Sequence, residues 1–124
     1  MAGIAPADVE IVELHDAASV AEIIELENLG LFAAGEAAAA VADGATSLGG
    51  TLPVNLSGGL VSKGHPVGAT GLSMLYETCL QLRGEAGARQ AGQPAIGLIE
   101  NGGGITGMEA AACMVTVLEA PAGR

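Results

Sequence analysis

The chain has 124 residues, half of them hydrophobic and 20 of them glycine, and its 14 acidic residues face only four basic ones, which gives a net charge of −10. A chain this acidic lacks the clustered Lys and Arg that bind nucleic acid or anionic membranes. Its apolar runs are shorter than the ~20 residues of a membrane span, its first residues do not resemble a signal peptide, and its two cysteines form neither a disulfide framework nor a metal-ligand pattern. These features predict a cytoplasmic α/β protein with glycine-rich loops.

The first half of the chain predicts one strand and two helices. Residues 9–14 (VEIVEL) mix apolar and acidic side chains, which predicts a short strand with one buried face. Ser19 and Glu22 form a capping-box pattern and Gly30 is a typical helix stop, so we expect a helix over 19–29. Alanine-rich residues 36–42 predict a short helix. Residues 52–56 predict a short extended segment.

The second half predicts a long helix and two buried strands. Pro66 suits the first turn of a helix, and apolar residues recur at helical spacing up to residue 82, so we expect a helix over 66–83. Residues 95–99 (AIGLI) and 111–118 (AACMVTVL) are apolar without alternation, which predicts strands buried on both faces. The glycines at 102–104 predict a tight turn between them. We expect residues 1–7 and 120–124 to fray.

His65 is the most informative candidate for chemistry. It precedes Pro66 and would stand at the N-terminus of the 66–83 helix, where the positive end of the helix dipole favours a neutral imidazole. A neutral ring there can donate to a developing oxyanion or accept a proton from a thiol. The alternative is a histidine that only caps the helix.

His15 and Glu100 are two further candidates. His15 follows the first predicted strand, where open α/β sheets have their sites, and Glu100 ends an apolar strand before the three glycines. The alternatives are a surface turn for His15 and a solvated strand end for Glu100. Cys79 and Cys113 fall on predicted buried positions and are expected to be inert core thiols. The glycines at 64, 68 and 71 lack the Lys and the strand context of a nucleotide motif, so we expect them to serve close helix packing.

Four segments together resemble the C-terminal half of the thiolase superfamily. They are VEIVELHDAAS at 9–19, LGGTLPVNLSGGLVSKGHPVGATGLSMLYE at 48–77, QLRGEAGARQ at 81–90 and IGLIENGGGITG at 96–107. The match runs over nearly the whole chain in family order, and the combination of NLSGG, GHPVGATG and QLRGEAG is specific. The chain is most similar to the lipid-transfer and sterol-carrier thiolase-like branch and to the archaeal-type acetyl-CoA acetyltransferases.

The resemblance implies an α/β fold that is the C-terminal half of the thiolase-like fold, a mixed sheet with helices on both faces. It also implies that residues 1–124 form an incomplete domain, because the first strand and helix of that half are not among them. The nucleophilic cysteine of the family belongs to its N-terminal half, which has no counterpart here. We therefore expect exposed sheet edge and apolar surface, covered by that half, by a companion chain or by oligomerisation.

The resemblance also implies roles for the two histidines. His65, preceded by Gly64, matches the histidine of the GHP motif, which activates the nucleophilic cysteine and helps to form an oxyanion hole. His15 stands where other thiolases have the Asn of an NEAF motif, which holds an oxyanion-hole water. The lipid-transfer branch has His-Asp there, as this chain does. The residues that follow, Ala17 and Ala18, supply no thiol.

Glu100 falls near the second catalytic cysteine of the family, the acid/base of its CxG motif. A Glu is a departure, since other branches have Cys or His there. Either Glu100 would still take and give a proton, or its presence at this position would mean that thiolysis is lost. The adjacent Asn101, Gly102 and Gly103 would shape an oxyanion-hole turn.

The implied mechanism is two-step acyl transfer between coenzyme A thioesters, without a metal or other cofactor. A cysteine from outside these residues takes the acyl group after His65 deprotonates it, and Glu100 then moves the proton at the second substrate. His15 and His65 stabilise the enolate oxygen. The chain alone is expected to be inactive.

Two other functions stay open. Some lipid-transfer-type members are retro-aldolases that cleave CoA thioesters of steroid side-chains, do not need the cysteine pair, and act with a small zinc-ribbon and OB-fold partner. The third possibility is a non-catalytic interaction or lipid-binding fragment. A nucleophilic cysteine in the companion would favour acyl transfer, and its absence would favour the aldolase.

Overall fold

The computed structural model describes residues 3–107 and 109–121 as a three-stranded mixed sheet flanked by helices. The strands, in sheet order, are β1 (Ile11–Glu13), β2 (Ile96–Thr106) and β3 (Glu109–Glu119). β1 pairs with β2 in parallel, and β2 pairs with β3 in antiparallel orientation. The helices are α1 (Ser19–Asn28), α2 (Ala37–Ala42), α3 (Gly59–Lys63) and α4 (Thr70–Arg83), with 3-10 turns at Pro6–Asp8 and Gly87–Arg89.

Two apolar clusters lie on opposite faces of the sheet. Leu98 of β2 packs in one cluster with Leu26 of α1, and the next residue, Ile99, packs in the other with Met74 of α4. Successive side chains of a strand point to opposite faces, so the two neighbours serve different layers. The predicted layered α/β fold, with helices on both faces of a mixed sheet, is confirmed.

The elements of the first half agree with the prediction in type. The helix over 19–29 is confirmed as α1, followed by Gly30 with a φ of 71°, and the short alanine-rich helix is confirmed as α2. The capping box is wrong, because the N-cap residue is Ala18 and no side chain caps the helix. The extended segment 52–56 joins the sheet through a single bridge between Val54 and Val12.

The central helix begins later than predicted. α4 starts at Thr70, because Gly68 has a φ of 87°, which a right-handed helix cannot contain. Pro66 instead starts a turn in which its carbonyl accepts the N–H groups of Ala69 (2.9 Å) and Thr70 (3.1 Å). The five-residue helix α3 before it was not predicted, because a segment that short has no measurable periodicity.

The glycines at 102–104 do not form a turn. They lie inside β2, where Gly102 pairs with Cys113 and Gly103 pairs with Ala112. The two strands pair as far as Thr106 and Glu109, so the hairpin turn lies after residue 106. The composition of this segment is typical of a turn, but its pairing with β3 keeps it in a strand.

The prediction that residues 111–118 are buried on both faces is wrong for the first half of β3. Met114 is 69% exposed and Val115 is 48% exposed. The short β1 pairs only with residues 97–99 of β2, so much of the β2–β3 hairpin extends past it. Within residues 3–107 and 109–121, the outer edge of β3 pairs with no other strand.

Glycine allows the close approach of α4 to the sheet. A Cβ at Gly97 would lie 2.5 Å from Cγ2 of Thr78 and 3.2 Å from Cγ1 of Ile11. Of the glycines predicted to serve close packing, Gly71 lies against Asn101, but Gly64 and Gly68 have open space around them and positive φ angles instead.

The expected fraying of residues 1–7 and 120–124 falls partly outside the described residues, on 1, 2 and 122–124. Within the described part, Pro6–Asp8 form a 3-10 turn, and the N–H of Ala120 donates to the carbonyl of Ala95 at 2.8 Å. No helix in the described part of the chain is long and apolar enough to cross a membrane.

Candidate functional site

Two histidines from distant parts of the chain come together at one end of the sheet. His15 follows the end of β1, and His65 lies in the loop between α3 and α4. Their ring centroids are 4.9 Å apart and the ring planes are nearly perpendicular, at 88°. We had expected His65 at the start of a long helix, and this prediction is wrong. It is presented by a loop and lies edge-to-face with His15.

Glu100 is the third candidate, and it adjoins His15. Its Oε2 accepts a hydrogen bond from the backbone N–H of His15 at 3.1 Å, and its side chain lies within hydrogen-bonding distance of Cys113. Glu100 is only 3% exposed and lies in the interior of β2, so the alternative of a solvated strand end is wrong. The structure thus brings the three predicted catalytic residues together.

The residues after Glu100 border the same site. Oδ1 of Asn101 lies 3.4 Å from Nδ1 of His15, and a Cβ at Gly102 would lie 3.7 Å from both the Glu100 carboxylate and the His15 ring. The missing side chain at Gly102 therefore leaves space between these two groups. Gly103 has nothing within 4 Å of its Cβ position, and the predicted oxyanion-hole turn is a strand here.

Thr70, which was not among the predicted site residues, orients the His65 ring. Its Oγ1 lies 2.7 Å from Nδ1 of His65 and donates to the Pro66 carbonyl at 3.2 Å. A hydroxyl has one proton and a carbonyl can only accept. When both bonds form together, the proton between Thr70 and His65 belongs to Nδ1, and Nε2 of the neutral ring is left with a free lone pair.

A buried polar cluster ties α3 to β1. Ser57 donates to the Glu13 carboxylate through its hydroxyl (2.6 Å) and its N–H (3.1 Å), and Nζ of Lys63 donates to Ser57 (2.8 Å) and to Glu13 (3.4 Å). Burial raises the pKa of Glu13, and the bonds from Ser57 and Lys63 act against that rise. The prediction that residues 9–14 bury only one face is wrong, because all three residues of β1 are buried and Glu13 is 3% exposed.

Asp16, the residue after His15, holds the other end of the same segment. Its Oδ1 accepts the N–H of Leu60 at 2.6 Å. Gly59 has a φ of +60°, and a Cβ there would overlap the Asp16 carboxylate. Gly64 then ends α3 with a φ of 98° and leads directly into His65. Glu13 and Asp16 therefore fix the segment that carries His65 against β1 and the residues after it, which include His15.

Neither cysteine is the fully buried thiol that the sequence predicted. Cys79 is half-buried and Cys113 is exposed. Partial burial, a hydrogen bond to Glu100 and the nearby carboxylates raise the pKa of Cys113 to about 11.

Among residues 3–107 and 109–121, no group of three or more His, Cys, Asp and Glu is arranged to hold a metal ion.

An open cavity of about 610 Å³ lies at the opposite end of the strands, lined by Val9, Glu10 and residues 48–51 and 90–94. It contains none of the three candidate residues. Its one carboxylate, Glu10, already accepts the N–H groups of Ala95 and Ile96. We therefore assign the candidate site to the histidine end of the sheet.

Comparison with known proteins identifies the family. The family model for thiolase C-terminal domain-like proteins matches residues 1–118. The acetyl-CoA acetyltransferase of Methanothermobacter thermautotrophicus is 46% identical over 110 residues, which are 89% of this chain and 29% of that protein. Sterol carrier protein 2 of Rattus norvegicus is 48% identical over 99 residues, 80% of this chain and 18% of that protein.

A solved structure is similar as well. The structure titled Ltp2-ChsH2(DUF35) aldolase matches 95% of this chain and 28% of its own chain, with a TM-score of 0.79 and 30% identity. The chain belongs to the thiolase C-terminal domain-like family, and its resemblance to the sterol-carrier and archaeal-type acetyltransferase branches is confirmed. It spans less than a third of the length of these relatives.

Proposed function

We propose that this chain is the histidine-bearing part of a thiolase-like acyl-CoA acyltransferase, which carries out thioester Claisen condensation or thiolysis. The nucleophilic cysteine would come from the rest of the protein or from a companion chain. The observation that carries the proposal is the contact between the His15 and His65 rings, with Glu100 bonded to the His15 backbone. Three proton-handling groups from separate segments thus share one site, and a relative is named for this reaction class.

In the first step, His65 acts on the incoming cysteine. Nδ1 donates to Thr70, so Nε2 is free to take the thiol proton. The thiolate attacks the thioester carbonyl of an acyl-CoA, and the protonated ring donates to the developing oxyanion. The bond from carbon to the CoA sulfur then breaks, and the departing CoA thiolate takes the proton from His65.

In the second step, Glu100 acts on another acyl-CoA. Its carboxylate removes a proton from the carbon next to the thioester carbonyl, and the resulting enolate attacks the acyl-cysteine. The new carbon–carbon bond forms as the cysteine leaves as thiolate, and the proton that Glu100 took then passes to this thiolate, which restores both groups. Thiolysis is the reverse. The substrates are coenzyme A thioesters, and the scheme needs no metal or other cofactor.

Exposed apolar side chains that follow His65 along the chain support a companion segment. Val67 is 88% exposed, Leu72 is 68% exposed and Tyr76 is 66% exposed, on the loop after His65 and on α4. Leu72 and Tyr76 are four residues apart on α4 and therefore share one helix face, and exposed apolar surface on one face is typical of an interaction site. We propose that the companion segment covers them and brings the nucleophile to His65, in a cytoplasmic oligomer.

A retro-aldolase is the second candidate, favoured by the aldolase title of the similar structure and by Glu100. Cleavage of a β-hydroxyacyl-CoA needs a base for the hydroxyl proton and groups that stabilise the enolate, but no nucleophilic thiol. Glu100 and the two histidines would supply both. In this case the companion would be the zinc-ribbon and OB-fold partner. A non-catalytic lipid-binding or interaction role is the remaining alternative.

Isolation of the intact assembly tests these proposals. The protein is purified from native cells through a tag on this chain, and mass spectrometry establishes which other segments or chains come with it. Thiolysis of acetoacetyl-CoA and cleavage of a steroid β-hydroxyacyl-CoA are then assayed on the purified assembly. The acyltransferase proposal predicts a nucleophilic cysteine in the assembly and thiolysis activity.

The variant His65→Asn should lower thiolysis by about 10²-fold or more, the usual contribution of a general base. Gln93→Ala, in the cavity at the far end of the strands, is the matched control and should be as active as wild type. Aldol cleavage without thiolysis would overturn the acyltransferase in favour of the aldolase. Absence of both activities from the intact assembly would leave the non-catalytic role.

A further inference from the structure

We propose that Cys113 is a positioning residue of this site, whose thiol donates to Glu100 and holds its carboxylate in one orientation beside His15. The contact exists whatever the reaction is. The functional meaning of the contact rests on the proposed function, because there Glu100 is the group that moves the proton.

The strand register brings the two side chains together. Glu100 pairs with Val115 and Gly102 pairs with Cys113, so Glu100 and Cys113 are diagonal neighbours on one face of the β2–β3 hairpin. Gly102, directly opposite Cys113, has no side chain to separate them. Sγ of Cys113 lies 3.2 Å from Oε1 of Glu100.

Two donors from different segments, the loop after β1 and the strand β3, hold the Glu100 carboxylate. Cys113 donates to Oε1, and the His15 N–H donates to Oε2 at 3.1 Å. Each oxygen keeps a lone pair. The carboxylate therefore cannot rotate without losing a bond, yet it can still accept a proton. Gly102 adds no side chain between the Glu100 carboxylate and the His15 ring.

The surroundings make Cys113 a donor and not a nucleophile. Carboxylates lie near it on two elements, Glu100 on β2 and Glu25 on α1, and both contribute to its raised pKa. A thiol with a pKa of about 11 stays protonated at neutral pH. The cysteine that forms the acyl-enzyme must then be a different one, as the proposed function requires.

The first test is the pH dependence of alkylation, because only the thiolate reacts. The intact protein is treated with iodoacetamide from pH 7 to 10.5, and mass spectrometry follows Cys113 and Cys79 in the same digest. In wild type, Cys113 should become reactive at a pH well above the ordinary thiol value of about 8.5. Reaction of Cys113 as an ordinary free thiol would overturn the proposal.

The variant Glu100→Gln keeps the shape of the side chain and removes its charge. It should speed the alkylation of Cys113 at pH 8 by about three- to tenfold, because a like charge no longer opposes the thiolate. Cys79 on α4 is the internal control, and its rate should not change. An unchanged Cys113 rate overturns the proposal. If the alkylation of Cys79 also becomes faster, the variant has lost structure, and the proposal is then judged by the pH profile of wild-type Cys113 alone.

The second test is functional and uses the purified assembly. Cys113→Ala should lower kcat about three- to tenfold with little change in KM, a modest fraction of a full general-base contribution. Cys113→Ser restores a donor and should recover most of the rate, whereas Cys79→Ala should behave as wild type. Equal kcat values for Cys113→Ala and wild type would overturn the positioning role. An alkylation profile as predicted in an assembly without activity would instead refute the proposed function.

Discussion

The substitution Thr70→Val isolates the hydrogen bond that orients His65. Thr70 is 3% exposed at the first position of α4, and valine has nearly the same shape, so the change leaves no cavity. It removes the contact to Nδ1 of His65 and the bond to the Pro66 carbonyl. That carbonyl keeps the N–H of Ala69, and His65 is exposed to water. Each lost bond therefore costs about 0.5–1.5 kcal/mol, or about 1–3 kcal/mol together.

Two measurements check this expectation. Urea unfolding should report the loss of stability, and Thr70→Ser, which keeps the hydroxyl, should lose less. The ring ¹³C and ¹⁵N chemical shifts of neutral His65 should report the Nδ1–H tautomer in wild type and a shift towards Nε2–H in Thr70→Val. An Nε2–H tautomer in wild type, or the same tautomer in both proteins, would refute the assigned direction of the bond.

Three further predictions concern the framework of the site. Gly97→Ala should destabilise the fold by about 1–3 kcal/mol, because its Cβ would overlap Thr78 between β2 and α4, and the urea midpoint measures it. Arg89 donates to both oxygens of the buried Glu77, at 3.2 and 2.8 Å. Arg89→Met should cost about 1–3 kcal/mol, less than for a fully buried pair because the Arg89 side chain is 49% exposed. A double-mutant cycle with Glu77→Gln measures the coupling free energy between the two side chains, and a coupling below this range would contradict the expectation. Burial raises the pKa of Glu13 in the folded state above the unfolded value of 4.5, so the folded state binds more protons between these two values. The Glu13 contribution to stability should therefore fall as pH rises through that window, and Glu13→Gln should flatten the profile of unfolding free energy against pH.

The sequence predicted the candidate site better than its surroundings. His15, His65 and Glu100 could be singled out because each interrupts an apolar or glycine-rich segment, and the family motifs suggested a role for each. Their mutual contacts are long-range, so the pattern of residues indicated the members of the site but not its geometry. The later start of α4 changed the environment of His65 from a helix end to a loop held by Thr70.

The features that the sequence did not predict depend on pairing across the sheet. The strand over 9–14 was expected to bury one face, but β1 is buried on both, and Ser57 and Lys63 from distant segments bond to the buried Glu13 carboxylate. Cys113 looked like a core residue, but the hairpin extends past β1 and leaves it exposed. Its contact with Glu100 depends on strand register, which short-range patterns do not specify.

Acyl transfer at the candidate site requires His65 to act on a nucleophilic cysteine from outside these residues. The most direct test is acyl-enzyme formation by the purified assembly with radiolabelled acetyl-CoA, followed by mapping of the labelled residue. We expect label on a cysteine outside residues 1–124, and we expect the rate of labelling to fall by about 10²-fold or more in His65→Asn. Label on Cys113 or Cys79, or labelling at the wild-type rate in His65→Asn, would contradict this expectation.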